Sequence, residues 1–167
     1  SVLPLIEEDL VSRVIEIEKV QLDTLFCDMS NFFTYIASTN KHCSLPQRGK
    51  NKQKRMDLRQ LGLLLHVTRR DHFPLLHKIY QGNLQARTIF KEYFQQMVQR
   101  FKALSGSLEQ ITLVFDQGNN ARTTLRDVNG EIHFVGAISP CHHKEIIEKA
   151  NPAMHRVSIS DKEIDCY

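Results

Sequence analysis

The stretch QLDTLFCDMSNFFTYI, residues 21–36, decides how the rest of the chain is read. Leu25, Cys27, Phe32 and Phe33 are apolar or β-favouring and Asn31 is a polar interruption, so the pattern predicts a strand that ends near Asp28 and resumes through Phe33–Ile36. A second stretch of this kind, ITLVFDQGNN (111–120), reads as a buried strand from Ile111 to Phe115, broken sharply at Asp116-Gln117-Gly118. Each of the two strands closes on an aspartate, and 88 positions separate those aspartates.

Between them the chain alternates between loop, strand and helix signals. Residues 38–57 are polar and basic with a single Pro and a single Gly, which is a loop. LRQLGLLLHV and FPLLHKIYQGN are dense apolar runs of strand length joined by TRRDH, and predict a hairpin. Residues 84–104 carry Ile89, Phe90, Tyr93, Phe94, Met97, Val98, Phe101 and Leu104 on one face at helical spacing, and Gly106 is placed to end that helix. Upstream, Leu10, Val14 and Ile17, with Val11, predict a modest amphipathic helix over 5–20. Downstream, a short helix over 119–128, a strand over 131–139 and a helix over 141–150 follow, the last stopped at Asn151-Pro152. Three strands, a long helix, a strand, a short helix and a strand make a mixed α/β sheet. That is the order of an RNase-H-like core, in which three antiparallel strands lead through a helix to a fourth strand beside the first and then to a fifth. The expected organisation is a helical lead-in over 1–20, a partial RNase-H-like core over 21–140 and the start of an insertion or following segment over 141–167. The chain starts at Ser1 and reaches Tyr167 with no closing element, and is read as a piece of something longer.

If the two aspartate-bearing strands lie side by side, both carboxylates reach one point, because ligands of α/β sheets gather at strand ends where the chain order reverses. Two such oxygen ligands suit Mg²⁺ or Mn²⁺, and two metals about 4 Å apart would serve phosphodiester transfer. Taken singly, each aspartate reads equally as a turn residue or a helix N-cap.

Bulk composition narrows the class without naming a partner. The chain has 167 residues, 41% apolar and 25% charged, ordinary for a soluble globular domain. Its 22 basic and 19 acidic residues leave +3, too little to imply nucleic acid by itself. Four sparse cysteines, at 27, 43, 141 and 166, with no secretory signal ahead of them, read as reduced thiols in a cytoplasmic protein. No apolar run approaches the roughly 18 residues of a membrane span. The charge is clustered: Arg48, Lys50, Lys52, Lys54, Arg55 and Arg59 stand against one acid, Asp57, in residues 48–59. Such a run serves either as a solubilising loop or as a grip on a DNA backbone. Asp57 reads as a partner for one of these bases rather than as a metal ligand.

Four segments resemble, in order and spacing, the catalytic core of insertion-sequence DDE transposases across residues 22–140. LFCDMSNFFTYI is similar to the family's first catalytic motif through Asp28, Ser30, Asn31 and Phe32. RGKNKQKRMDLRQLGLLL resembles the following Arg-x-Asp-Leu-x-Gln-x-Gly segment through Arg55, Asp57, Leu58, Gln60 and Gly62, preceded by Arg48, Gly49 and Lys50. FPLLHKIYQGN matches a third strand with its Gly82-Asn83 exit, and LVFDQGNNA resembles the second catalytic motif through Asp116, Gly118 and Asn119. Met56 and Gln117 depart from the family's usual Pro and basic residue. The resemblance implies DNA transposition by metal-dependent cleavage and strand transfer. Asp28 and Asp116 would hold two Mg²⁺ (or Mn²⁺) ions as catalytic ligands, and Arg48, Lys50, Lys52, Lys54, Arg55 and Arg59 would contact DNA. It also implies transposon ends and target DNA as partners, a homodimer in the active complex, no membrane, and a bacterial or archaeal cytoplasm with action at the nucleoid.

The family's third carboxylate, a glutamate on a later helix near a Tyr-Arg-Glu-Lys-type pattern, has no counterpart before Tyr167. Glu145 and Glu148 share a helix face and read as a solvated pair, and no glutamate is assigned. The chain alone is therefore expected to be inactive, and an inactive remnant that only binds DNA, or a plain metal-dependent nuclease, are the alternatives. Cys141-His142-His143, with His42-Cys43, lacks the short paired spacing of a structural zinc site.

Overall fold

The computed structural model describes residues 2–37, 39–51, 53–116, 130, 132–137, 141, 144–150, 152, 155–159 and 162–166. They divide into two compact units, 1–136 and 137–167.

The first unit is a five-stranded sheet with two long helices. Helix α1 spans Leu3–Glu18, followed by β1 (Thr24–Thr34), β2 (Arg59–Thr68), β3 (Pro74–Gln81), α2 (Ala86–Ser105), β4 (Thr112–Phe115) and β5 (His133–Gly136). The strand order is β3-β2-β1-β4-β5. β1, β2 and β3 are antiparallel neighbours; β4 returns parallel to β1, and β5 is parallel to β4. This is the RNase-H-like arrangement the element order predicts. The reason for the crossover is physical: β3 and β4 point so that a helix-length connection must carry the chain across the sheet, and α2 supplies it.

The core lies between the sheet and α2. Phe90, Phe94, Met97 and Phe101 are each 2% exposed or less. They meet Leu25, Cys27, Leu64, Leu75, Leu113 and Phe115 from the strands. Ring contacts tie the layers: Phe90 to Phe115 at 5.4 Å and Phe101 edge-on to His66 at 5.4 Å. Burying one such Phe is worth about 2–3 kcal/mol, so these positions dominate the stability of the unit. Helix α2 stops where expected, at Gly106, whose φ of 74° suits a residue without Cβ and whose N–H donates to the Lys102 carbonyl at 2.9 Å.

Two sequence readings are corrected. β1 does not end near Asp28. It runs unbroken to Thr34, because β2 pairs with it all the way from Leu25↔Thr68 to Thr34↔Arg59. What ends at Asp28 is burial: Leu25 and Cys27 are buried and Asp28 is exposed. In α1 the buried side is also different. Val11 is buried and Ile15 packs on the core, whereas Leu10 and Ile17 are 59% and 72% exposed. An ion pair from Glu8 to Arg100 and a contact of Glu7 Oε1 with His77 Nδ1 at 3.0 Å lie on the side of the helix that carries Val11 and Ile15. Val11 and Ile15, four residues apart, are the apolar pair that packs on the core.

The second unit holds helix α3 (Lys144–Ala150) and an antiparallel hairpin, β6 (His155–Ile159) with β7 (Lys162–Cys166). The sequence reading gave the helix but no strands here. Arg156 and Glu163 pair across the hairpin at 3.2 Å. The helix expected over 119–128 lies outside the described residues.

Candidate functional site

The two aspartates read from the sequence are brought together by strand register. β1 and β4 pair in parallel from Thr24↔Thr112 to Cys27↔Phe115. Asp28 and Asp116 each follow the last paired residue by one position, so they stand at one level on strands spaced about 4.8 Å apart. Both are exposed.

Alternation along β1 fixes the surroundings. Leu25 and Cys27 point toward α2, so Phe26 and Asp28 lie on the opposite sheet face. On that face Phe26 pairs with Val114 and Val67, and Asp28 pairs with Leu65. Leu61, Leu63, Leu65, Val67, Phe26 and Val114 are all half-buried, and Val135 is 58% exposed. The carboxylates therefore stand at the upper margin of an apolar, incompletely covered sheet face. Asp28 also acts on buried neighbours. Burial, with the Asp28 charge adding to it, pushes the Cys27 thiol and the Tyr80 hydroxyl up from their usual ranges. Cys27 is consequently an inert buried thiol and no nucleophile.

As a metal site the pair has the right donor type. Exposed carboxylate oxygens at one level suit Mg²⁺ or Mn²⁺, which keep several water and substrate oxygens in their shell. The residues present fit such an ion in chemistry, as two of the ligands it needs. Among the described residues no group of three His, Cys, Asp or Glu side chains converges. Glu145 and Glu148 are exposed on α3 in the second unit. His142 and His143, like Gly118 and Asn119 of the second motif, lie outside the described residues.

The segment between β1 and β2 is a folded loop. The Gln47 and Gln60 backbones exchange N–H···O bonds of 2.9 Å each, so the loop replaces β3 beside the start of β2. Gln60 is 1% exposed. Its Nε2 donates to the Gly82 carbonyl at 2.7 Å and to the Lys50 carbonyl at 3.3 Å. A Cβ on Gly49 would overlap the Gly82 carbonyl, and one on Gly82 would overlap the Gln60 backbone. A Cβ on Gly62 would enter the Tyr80 ring. The residues that carry the family resemblance here thus have packing reasons to be what they are. The role of Gln60 was not read from the sequence. The signal was there: at period two, Gln60, Gly62, Leu64, His66 and Thr68 form the inward row of β2, and a long amide in that row needs buried partners.

The basic residues divide by partner. Asp57 accepts a two-pronged bond from Arg55, Nε at 2.9 Å and Nη2 at 2.8 Å. That bond holds the Asp57 carboxyl down at about 2. Arg59 donates through Nη1 to the Asn40 carbonyl at 3.1 Å and is half-buried. Arg48, Lys50 and Lys54 are exposed, Lys54 with φ of 56°. Lys52 lies outside the described residues.

No family model matches this sequence, and no curated protein matches it significantly. Solved structures do. The chain superposes on piggyBac transposase, seen in a synaptic complex with hairpin DNA, with a TM-score of 0.51 at 12% identity over 87% of this chain and 31% of that one. It also matches Mos1 transposase, in a paired-end complex with the left transposon end, with a TM-score of 0.44 at 8% identity over 88% of this chain and 46% of that one. The chain spans less than half the length of either. The fold is RNase-H-like and of the kind found in transposases. No helix among the described residues is long and apolar enough to cross a membrane.

Proposed function

We propose that this chain is part of the catalytic core of a metal-dependent DNA transposase of the insertion-sequence DDE type. The observation that carries the reading is the register that sets Asp28 and Asp116 side by side. Asp28 and Asp116 would be two of three carboxylates holding a pair of Mg²⁺ or Mn²⁺ ions. When bound, such ions lower the pKa of an attacking water or 3′-hydroxyl and stabilise the departing oxygen. The chain's own contribution is to fix two carboxylates at one level near the centre of a sheet. The third carboxylate would come from a segment outside this chain that covers the apolar sheet face beside Asp28. Exposed cations of the 48–59 loop would grip the phosphate backbone of transposon ends and target, and two copies would bring two DNA ends together.

The test is cleavage and strand transfer by the complete gene product on DNA carrying the element's ends, with Mn²⁺ or Mg²⁺. Joining of pre-cut ends supports the reading, and hydrolysis without joining supports a plain nuclease. A second reading is an inactive remnant that only binds DNA. An intact glutamate-bearing helix downstream in the gene would remove it.

A further inference from the structure

Gln60 is an unusual residue for its place. It begins the inward row of β2, is 1% exposed, and donates through its amide to two backbone carbonyls. Its Oε1 is buried and has no protein partner among the described residues. A buried, unpaired acceptor costs stability, and an apolar side chain of the same length would avoid that cost. The two donors of the amide are what an apolar residue could not supply. One goes to Gly82, at the exit of β3, and the other to Lys50, inside the basic loop. The same residue's backbone pairs with Gln47 at the loop's near end. The loop is closed at its far end by the Arg55–Asp57 fork and by Asn51, which accepts from the Arg55 N–H at 2.9 Å. Held at both ends, the loop presents Lys50 and Lys54 to solvent.

We propose that Gln60 is a positioning residue for DNA: its amide pins the basic loop to the β2–β3 hairpin and so fixes where the loop's cations meet the phosphate backbone. This rests on the reading of that loop as a DNA grip. An unpinned loop keeps its charge, but its cations no longer sit where they meet phosphates, so contacts are lost and affinity and salt dependence both fall although net charge is unchanged.

The experiment compares four forms of the chain: the unchanged protein, Gln60→Met, Gly49→Ala, and Lys50→Ala with Lys54→Ala. Gln60→Met keeps length and removes both donors. Gly49→Ala pushes the loop away from the Gly82 carbonyl and from Gln60 Nε2 while keeping every residue of β2. All four forms are measured for affinity to a short random-sequence DNA duplex over a salt series and for the amide spectrum of the core, and the three that keep both lysines also for trypsin cleavage after Lys50 and Lys54. Gln60→Met should keep the core spectrum, raise loop cleavage about tenfold or more, as expected when a held loop opens freely, and lower the slope of log affinity against log salt by about 2, as the loss of two phosphate contacts would. Unchanged cleavage and unchanged slope in a folded Gln60→Met protein would overturn the proposal. If Gln60→Met loses its core, Gly49→Ala decides on the same two readouts. If the double lysine variant binds DNA as well as the unchanged protein, the loop is not the grip and the DNA role of Gln60 falls with it, while the cleavage rates still report whether the amide pins the loop.

Discussion

Asp28 and Asp116 stand at one level on neighbouring parallel strands, each one residue past the paired Cys27 and Phe115. A shift of one residue in that register would turn one carboxylate toward α2 and leave the other exposed, because alternate residues face opposite sides of a sheet. The relationship is therefore set by packing: Leu25, Cys27, Leu113 and Phe115 must all face α2, and the aspartates follow from that. Catalytic geometry, on this account, is held in place by the hydrophobic core beneath it.

Gly62 and Tyr80 make a packing pair that can be tested by itself. They are register partners on β2 and β3, and the Tyr80 ring occupies the space a Cβ on Gly62 would need. Gly62→Ala should destabilise the unit by roughly 1–3 kcal/mol through overpacking. In a background with Tyr80→Val that cost should largely vanish, giving a coupling of about 1 kcal/mol or more in a double-mutant cycle. Urea unfolding of the four proteins measures it, and additive effects would contradict the packing described.

Much of the fold was legible because its strongest signals are periodic. The helix of residues 86–105 shows its seven buried apolar side chains at 3–4 spacing, and the hairpin of β2 and β3 shows two apolar runs around a polar turn. The continuity of β1 was not legible. Asn31 looks like a break, yet it is paired with Gly62 of β2. The orientation of α1 was hidden as well, since apolar residues lie on several sides of it and only Val11 and Ile15 meet the core. At the site, the two aspartates stood out as the polar ends of apolar runs. Their shared level did not, because register between distant strands is a tertiary property. The hairpin of β6 and β7 has strands of five residues with only two apolar positions each, Val157 and Ile159, Ile164 and Cys166, too short a period-two signal to announce them.

His66 gives the unit a pH dependence. It is fully buried, and neither ring nitrogen meets a protein partner among the described residues. Burial holds it neutral, down to about 3, with the nearby Leu76 backbone pulling the other way. The unfolded chain takes up that proton below about 6.5. Between those values the unfolded state binds more protons, so stability is full above the window and falls as pH drops through it, by at most about 1.4 kcal/mol per pH unit. His66→Leu should flatten that part of the curve of unfolding free energy against pH. An unchanged slope in the variant would place the dependence elsewhere.

The Arg55–Asp57 fork makes a spectroscopic prediction. In the unchanged protein the Asp57 carboxyl titrates at about 2, because Arg55 binds its ionised form through both oxygens. Arg55→Ala should return it to about 3.9, the value of a free aspartate. Arg55→Lys should recover only part of the shift, since an ammonium cannot make the two-pronged bond. Carboxyl ¹³C titration by NMR reads all three.

The most direct test of the central claim is Mn²⁺ binding by the chain itself, followed as paramagnetic broadening of backbone amide signals. A shared site predicts that substoichiometric Mn²⁺ broadens the signals around Asp28 and Asp116 together, and that Asp28→Asn or Asp116→Asn alone removes the broadening from both segments. Broadening that persists unchanged around one aspartate when the other is replaced would contradict it.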